Sequence, residues 1–281
     1  MEISSSNLSF RIALIAINHL RPHEEVIDSL VESIADGIRV QGIVRDPLII
    51  DQDKHVILDG MHRYGSLKSL KCRFAPCCLV NYDSPLIKVG SWFRLFNVQE
   101  TETLAENLLN QHNLKYTKQK TDLEHLTFNS QTIILTGNGI QYSLPQSSNS
   151  SEFARTAVML ERSLVKKGHH VDYLSETVAI QMLRAGGAYF VILVPIFSKQ
   201  QIRELGIRGF LLPQKVTRHV MPSRPLRIDI PLALLTDPAT SLEEANRRLG
   251  EALSTRHVDR KPPGSVVDGR RYEEELLVFA A

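Results

Sequence analysis

Apolar and polar positions along this chain of 281 residues change period from block to block, and the changes mark its elements. Residues 11–16 form an apolar run that favours a strand, and RPHE at 21–24 follows as a turn whose proline pre-sets the backbone. Val26, Leu30, Ile34 and Ile38 then recur at every fourth position with Val31 beside them, while Glu25, Asp28, Glu32 and Asp36 supply a polar side. This spacing predicts an amphipathic helix that ends near Gly42. Two short β-rich runs, 47–50 and 55–58, flank the polar DQDK and predict a hairpin. After Gly60 the period becomes helical again, with Tyr64, Leu67 and Leu70 on one side and Lys68 and Lys71 turned away. A strand near 75–80 closes this first unit.

Between 97 and 129 the chain is polar and weakly periodic, and we expect a helix over 104–112 followed by a connecting segment. Residues 132–135 and 140–144 predict a second hairpin across GNG, and 146–151 a loop whose Ser151 caps the next helix. That helix carries Phe153, Val158, Leu160 and Leu164 and stops at Gly168. A strand over 171–174, a helix over 176–183, a buried strand over 189–196 and a helix over 199–205 follow. Their alternation predicts an α/β second domain. In the tail, Leu242, Ala245, Leu249 and Leu253 share one side of a helix over 241–253, the Pro-, Gly- and charge-rich 259–271 reads as a loop, and 276–280 as a last strand. The expected division is 1–95, 96–235 and a C-terminal helical extension, 236–281, in a length that suits two domains.

Charge narrows the function. Lys plus Arg number 33 and Asp plus Glu 31, for a net charge of +2, so the chain is not built to coat nucleic acid or an anionic membrane. The apolar run at 10–20 is interrupted by Arg11 and Asn18 and has no small-residue cleavage site after it, so it predicts neither a signal peptide nor a membrane span. A cytoplasmic protein is expected. Cys72, Cys77 and Cys78 have no second pair nearby and read as reduced, partly buried thiols, not as a zinc site.

The densest chemistry lies in VILDGMHRYGSL at 56–67, where a strand gives way to a helix. A helix N-terminus leaves N–H groups without partners and carries about half a positive charge, which suits a phosphate. Gly60 lets an anion approach the backbone, and His62 and Arg63 add donors, arginine in a planar fork that matches phosphate oxygens. Asp59 would repel a bare phosphate. Its presence points to a Mg²⁺ ion held between carboxylate and phosphates, or to a carboxylate that orients a substrate hydroxyl. Asp-Gly is also a common turn dipeptide, and Asp59 as a plain helix cap stands beside these readings.

The stretch VILDGMHRY resembles the Asp-Gly-His-His-Arg type of motif of the ParB/sulfiredoxin-like fold, and within that fold it is most similar to the free L-serine kinases. LRPHE at 20–24 resembles the segment that holds those kinases' general base, and KVTRH at 215–219, followed by VMP, resembles their substrate-side segment. LRIDIPLALL at 226–235 and the helix after it are similar to the serine kinases of siderophore-type gene clusters. The resemblance spans about residues 10–235 and implies a ParB/sulfiredoxin-like, mixed α and β fold. It implies an enzyme that makes O-phospho-L-serine, a precursor of 2,3-diaminopropionate, with ATP or ADP as donor and Mg²⁺ as cofactor.

By that resemblance Glu24 is the general base, although Glu25 beside it is equally acidic, and Asp59 either assists the base or holds the metal. The amides at Gly60 and Met61, with His62 and Arg63, bind phosphates. Arg218 with Thr217 and His219 grips the serine carboxylate, Lys215 neutralises phosphate, and Trp92, the sole tryptophan, lines the serine pocket, where a lone Trp is otherwise a core residue. Met61 departs from the motif, which has histidine there; a backbone donor survives the change. Methionine also stands where sulfiredoxins place their nucleophilic cysteine, which excludes that reaction. ParB-like nucleotide-dependent DNA-binding proteins share the fold, but no pair of short helices followed by a basic recognition helix stands out after residue 90. Threonine or homoserine would be alternative acceptors for a kinase of this kind.

Overall fold

The computed structural model describes residues 2–5, 8–124, 132–145 and 149–280. The polar stretch 125–131 and residues 146–148 of the expected loop at 146–151 lie outside them. Two compact units share the chain: Met1–Lys88, Ser198–Leu211 and His219–Ala281 make the first, Val89–Phe197 and Leu212–Arg218 the second.

The first unit begins with β1 (Glu2–Ser5), β2 (Leu8–Ala16), α1 (Asp28–Gln41), β3 (Ile43–Val44), β4 (Leu48–Asp51), β5 (Ile57–Asp59), α2 (Met61–Ser69) and β6 (Phe74–Val80). Five of these strands form one sheet, ordered β1-β2-β6-β4-β5, in which β4 runs parallel to β6. All seven residues of β6 are buried, as a near-continuous apolar strand inside a sheet should be. The expected helix, hairpin and strand are all present. The helix face is rotated, however. Leu30 is 45% exposed, and the stripe that turns inward is Val31, Ile34, Ala35 and Ile38, because Gly65 of α2 packs against Val31 so closely that a Cβ would meet its methyl at 2.9 Å. Gly42 ends α1 in the left-handed region at φ 69°, its N–H bonded to Ile38 O.

The second unit holds β7 (Lys88–Asn97), α3 (Thr101–Gln111), β8 (Thr117–Lys120), β9 (Thr132–Thr136), β10 (Ile140–Ser143), α4 (Ser150–Lys166), β11 (Asp172–Ser175), α5 (Glu176–Arg184) and β12 (Tyr189–Ile192). Its sheet is ordered β11-β7-β12-β9-β10-β8, with β13 (Thr217–Val220) also paired to β7. The ladders of β10 with β8 and β9, of β11 with β7, and of β12 with β7 and β9 are antiparallel. The expected alternation of helices and strands is present, and it feeds these antiparallel pairs. The core gathers Phe96 and Phe190 edge to face, Leu108, Ile134 and Leu160. Asn149, not Ser151, caps α4, its side chain accepting from the amides of Ser151 and Glu152.

The chain returns to the first unit in α6 (Lys199–Arg208), then continues through β14 (Ser223–Leu226), β15 (Ile230–Pro231), α7 (Leu232–Thr236), α8 (Leu242–Ser254), β16 (Val258–Lys261), β17 (Val266–Val267), β18 (Arg270–Arg271) and β19 (Glu275–Phe279). The units therefore divide the chain differently from the expected 1–95, 96–235 and 236–281. A border at 95 would cut β7, which lies between β11 and β12 in the second sheet. The tail is not a helical extension either: β19 sits between β14 and β16 in a three-stranded sheet of the first unit. Residues 259–271, expected as loop, include most of β16 and the β17–β18 hairpin. The helix α8 docks on β2 through Asn246, which accepts from Leu14 N at 2.8 Å and donates to Leu14 O at 3.0 Å. Leu14 thereby turns its polar groups away from its cross-strand neighbour Pro76, whose missing N–H leaves no gap in that ladder.

Among the described residues no helix is long and apolar enough to cross a membrane. The three cysteines are free and buried, and burial pushes the Cys72 thiol up to about 11.

Candidate active site

In the first unit, β5 delivers Asp59 to the start of α2, and the connection is made by Gly60 at φ 99° and ψ 27°. Only glycine suits this place on two counts. The backbone is left-handed, and a Cβ would lie 2.7 Å from Leu48 Cδ2 and 2.9 Å from an Arg63 guanidinium nitrogen. Arg63 is thus folded back over Gly60, with its Nη1 donating to Pro47 O at 2.8 Å. Met61 is only 8% exposed, so its side chain packs inward, and what it offers the turn is its amide. His62 and Arg63 are half-buried in the first turn of α2. Ser66 Oγ lies within hydrogen-bond distance of both His62 O and Val31 O, which ties that turn to α1.

A parallel bridge pairs Arg21 with Val56, with Arg21 N donating to His55 O and Ile57 N to Arg21 O. Glu24, three residues on, is half-buried. His23, one residue before, is buried, and its Nδ1–H donates to Ile57 O at 2.7 Å. Burial lowers its pKa to about 4, against the raising effect of that carbonyl. His219 holds the next carbonyl of the strand, that of Leu58, and its Nε2 accepts from Tyr82 OH at 2.8 Å. Burial, then the neighbouring His23, lowers the His219 pKa to about 3. The two rings meet edge to face, with centroids 5.6 Å apart. Two neutral histidines therefore grip the strand that presents Asp59.

Asp59 is engaged by a residue that the sequence did not single out. Arg224 of β14 donates from Nη1 to Asp59 Oδ2 at 2.7 Å and from Nε to Glu274 Oε1 at 2.6 Å. Burial would raise the Asp59 carboxyl, but the charges of Arg224 and Arg63 outweigh it and hold the pKa at about 2. The group is a carboxylate at neutral pH, and 33% of its side chain is exposed. Among the described residues no group of three or more His, Cys, Asp or Glu side chains forms a metal cluster. A charged residue inside the buried SRPL strand was the one sequence signal for Arg224, since such residues are seldom buried without partners.

In the second unit, Trp92, Lys215 and Arg218 come together. Arg218 Cζ lies 5.5 Å from the Trp92 ring centre, and Lys215 Nζ 5.6 Å from it and 5.0 Å from the ring of Tyr173. Arg218 Nη2 is 4.0 Å from Glu176 Oε2 at the start of α5, and the same carboxylate accepts from Ser91 N. Thr217 is buried, while Lys215 is exposed with its backbone at φ 61°. The support beneath is a fully buried Arg94. It bonds Glu161 at 2.8 Å, Trp92 O at 2.6 Å and Gln214 O at 3.3 Å, so one guanidinium ties the Trp92 strand to the segment that enters Lys215. Ser91 Oγ adds a bond to Val216 O at 2.7 Å. Tyr173, Glu176, Arg94 and Glu161 were not foreseen; Arg94 stands 67 positions from Glu161, and no local pattern marks any of the four.

No family model matches the chain. In sequence it is 24% identical over 222 residues to the ADP-dependent L-serine kinase SerK of Thermococcus kodakarensis, covering 78% of this chain and 90% of that one. It is equally 24% identical over 225 residues to the ATP-dependent L-serine kinase of Staphylothermus marinus, covering 78% and 89%. Among solved structures, SbnI with a C-terminal truncation from Staphylococcus aureus matches with a TM-score of 0.68 at 20% identity, over 86% of this chain and 95% of that one. A free serine kinase variant in complex with ADP matches with a TM-score of 0.67 at 23% identity, over 80% and 93%. The ParB/sulfiredoxin-like, mixed α and β fold implied by the three motifs is the fold these structures share with the chain.

Proposed function

We infer from this kinship and from the three motifs that the chain is a free L-serine kinase, a phosphotransferase that converts L-serine to O-phospho-L-serine at the expense of a nucleotide. The observation that carries the reading is the turn at Gly60, where a left-handed glycine, the first amides of α2 and a folded-back Arg63 offer donors to phosphates while Asp59 beside them stays ionised.

Phosphoryl transfer asks a protein chiefly to position groups and offset charge. In our reading the amides of Met61 and its neighbours, with His62 and Arg63, hold the phosphates. Glu24 accepts the proton of the serine hydroxyl. Arg218 and Thr217 bind the serine carboxylate, Lys215 offsets negative charge, and Trp92 walls the substrate with its indole face. His219 contributes differently from the expected carboxylate donor. With its ring nitrogens turned to Leu58 and Tyr82, it serves by holding β5 in place.

A magnesium ion, bound along with the nucleotide, would offset the phosphate charge, and Asp59 is the residue suited to hold it. Arg224 takes one carboxylate oxygen, and the side chain is partly exposed; Mg²⁺ typically draws most of its ligands from phosphates and water and only one or two from protein. ATP is our proposed donor, following the siderophore-type resemblance, and the cytoplasm the proposed compartment.

The test is a matrix of donors, ATP and ADP, against acceptors, L-serine, L-threonine and L-homoserine, with Mg²⁺. Phosphoserine is the expected product. Replacing Glu24 by Gln should lower the rate by about 10²–10⁴, the usual worth of a positioned base. Absence of phosphoserine with both nucleotides would sink the reading.

A further inference from the structure

The pairing around Asp59 reaches further than a local turn requires. Arg224 is 165 positions from Asp59 and 50 from Glu274, and it joins them inside the first unit. Its side chain is 11% exposed and that of Glu274 14% exposed. The backbone beneath is fixed as well: β14 runs parallel to β19 with Ser223 opposite Glu275 and Arg224 opposite Leu276, and Glu275 N donates to Pro222 O at 3.2 Å. Glu274 thus stands at the entrance of β19, takes the Nε of Arg224, and leaves Nη1 aimed at Asp59.

A buried guanidinium with one carboxylate partner can swing about that single contact. With two carboxylates on different edges of its plane it has one orientation. We propose that Glu274 is a positioning residue for Asp59, acting through Arg224, so that the C-terminal sheet belongs to the active-site machinery. The role in catalysis rests on the kinase reading above; the coupling of Glu274 to Asp59 does not. The charged groups around Asp59 are Arg224 on β14, Arg63 on α2 and Arg270 on β18, with Glu274 behind Arg224. Removing Glu274 frees the guanidinium to turn about its remaining contact, so positioning means that Arg224 leaves Asp59 when Glu274 is lost.

Two measurements on the full chain decide this. Crystal structures of the wild type and of Glu274→Gln give the distance from Arg224 Nη1 to Asp59 Oδ2. We expect this contact, 2.7 Å with Glu274 in place, to open beyond hydrogen-bond distance in the variant. In the kinase assay we expect kcat to fall about ten- to a hundredfold with KM for serine and nucleotide within about twofold, the signature of a misplaced group. An Arg224–Asp59 contact that survives unchanged in the variant overturns the proposal, as does a kcat loss matched by the loss of folded protein in circular dichroism. Should Glu274→Gln fail to fold, Glu274→Asp keeps the charge, shortens the reach and carries the same expectations. A wild type that makes no phosphoserine defeats the kinase reading alone, because the Arg224–Asp59 contact in the two structures still reports on Glu274.

Discussion

At the scale of single residues, the turn shows how much one position can decide. Gly60 combines a left-handed backbone with contacts of 2.7 and 2.9 Å at its missing Cβ, so Gly60→Ala must both strain the chain and push Leu48 and Arg63 aside. Left-handed strain alone is worth about 1–3 kcal/mol. We expect Gly60→Ala to lower unfolding stability by at least about 2 kcal/mol, read from denaturant midpoints, and to weaken nucleotide binding in calorimetry. A variant with wild-type stability and affinity would refute the packing argument. The place of Gly60, His62 and Arg63 at a strand-to-helix turn was legible because the signal is local: a glycine between a strand pattern and a helix pattern needs no distant partner to be read. Arg224, Glu274 and Arg94 were not, because their meaning lies in partners 50 to 165 positions away that only the fold supplies. Met61 was half legible. The sequence left its amide as the useful group, and its burial says where the side chain goes.

At the scale of elements, β5 is held along its length by groups from outside its sheet. His23 takes the carbonyl of Ile57 and His219 that of Leu58, both as neutral rings. The histidines are lowered from an ordinary 6.5 to about 4 and about 3, so as pH falls below 6.5 the unfolded chain gains protons that the folded chain refuses. Stability is complete above that pH and is lost as pH falls toward 4. For His23 alone the loss is of the order of 3 kcal/mol at full extent, from a shift of two to three units at 1.36 kcal/mol each. Denaturant midpoints taken from pH 7.5 down to 5 should fall, and His23→Gln, weaker at neutral pH, should show a shallower slope. An equal slope would remove His23 from the account. Element types were legible wherever one period persisted, as in α1, α2, α4 and α8. The faces and caps were less so: α1 turns Val31 and Ala35 inward where Gly65 makes room, and Asn149 outcompetes Ser151 as a cap by reaching two amides at once. The long strand β7 escaped notice because Lys88, Gly90, Arg94 and Asn97 break its apolar pattern, and Arg94 is tolerated inside only through Glu161 and two carbonyls.

At the scale of the molecule, the chain is woven: it leaves the first unit after Lys88, returns at Ser198, leaves again at Leu212 and comes back at His219. A linear reading of composition cannot see such a path, which is why a border at 95 and a C-terminal helical extension were expected. The excursion 212–218 has a purpose in the proposed chemistry, since it brings Lys215, Thr217 and Arg218 into the same unit as Trp92 and Tyr173. That placement makes the sole tryptophan a reporter. Its ring has two cationic groups within 5.6 Å, so a carboxylate that draws Arg218 away must change its surroundings. We expect L-serine to shift the intrinsic tryptophan emission in a saturable way, with the same midpoint as its KM when dissociation is fast. Arg218→Ala should weaken that midpoint about ten- to a hundredfold, the worth of a charge-assisted hydrogen bond of about 1.5–3 kcal/mol, while circular dichroism stays that of the wild type. An emission that ignores serine while phosphoserine accumulates would take Trp92 out of the serine pocket and return it to plain packing.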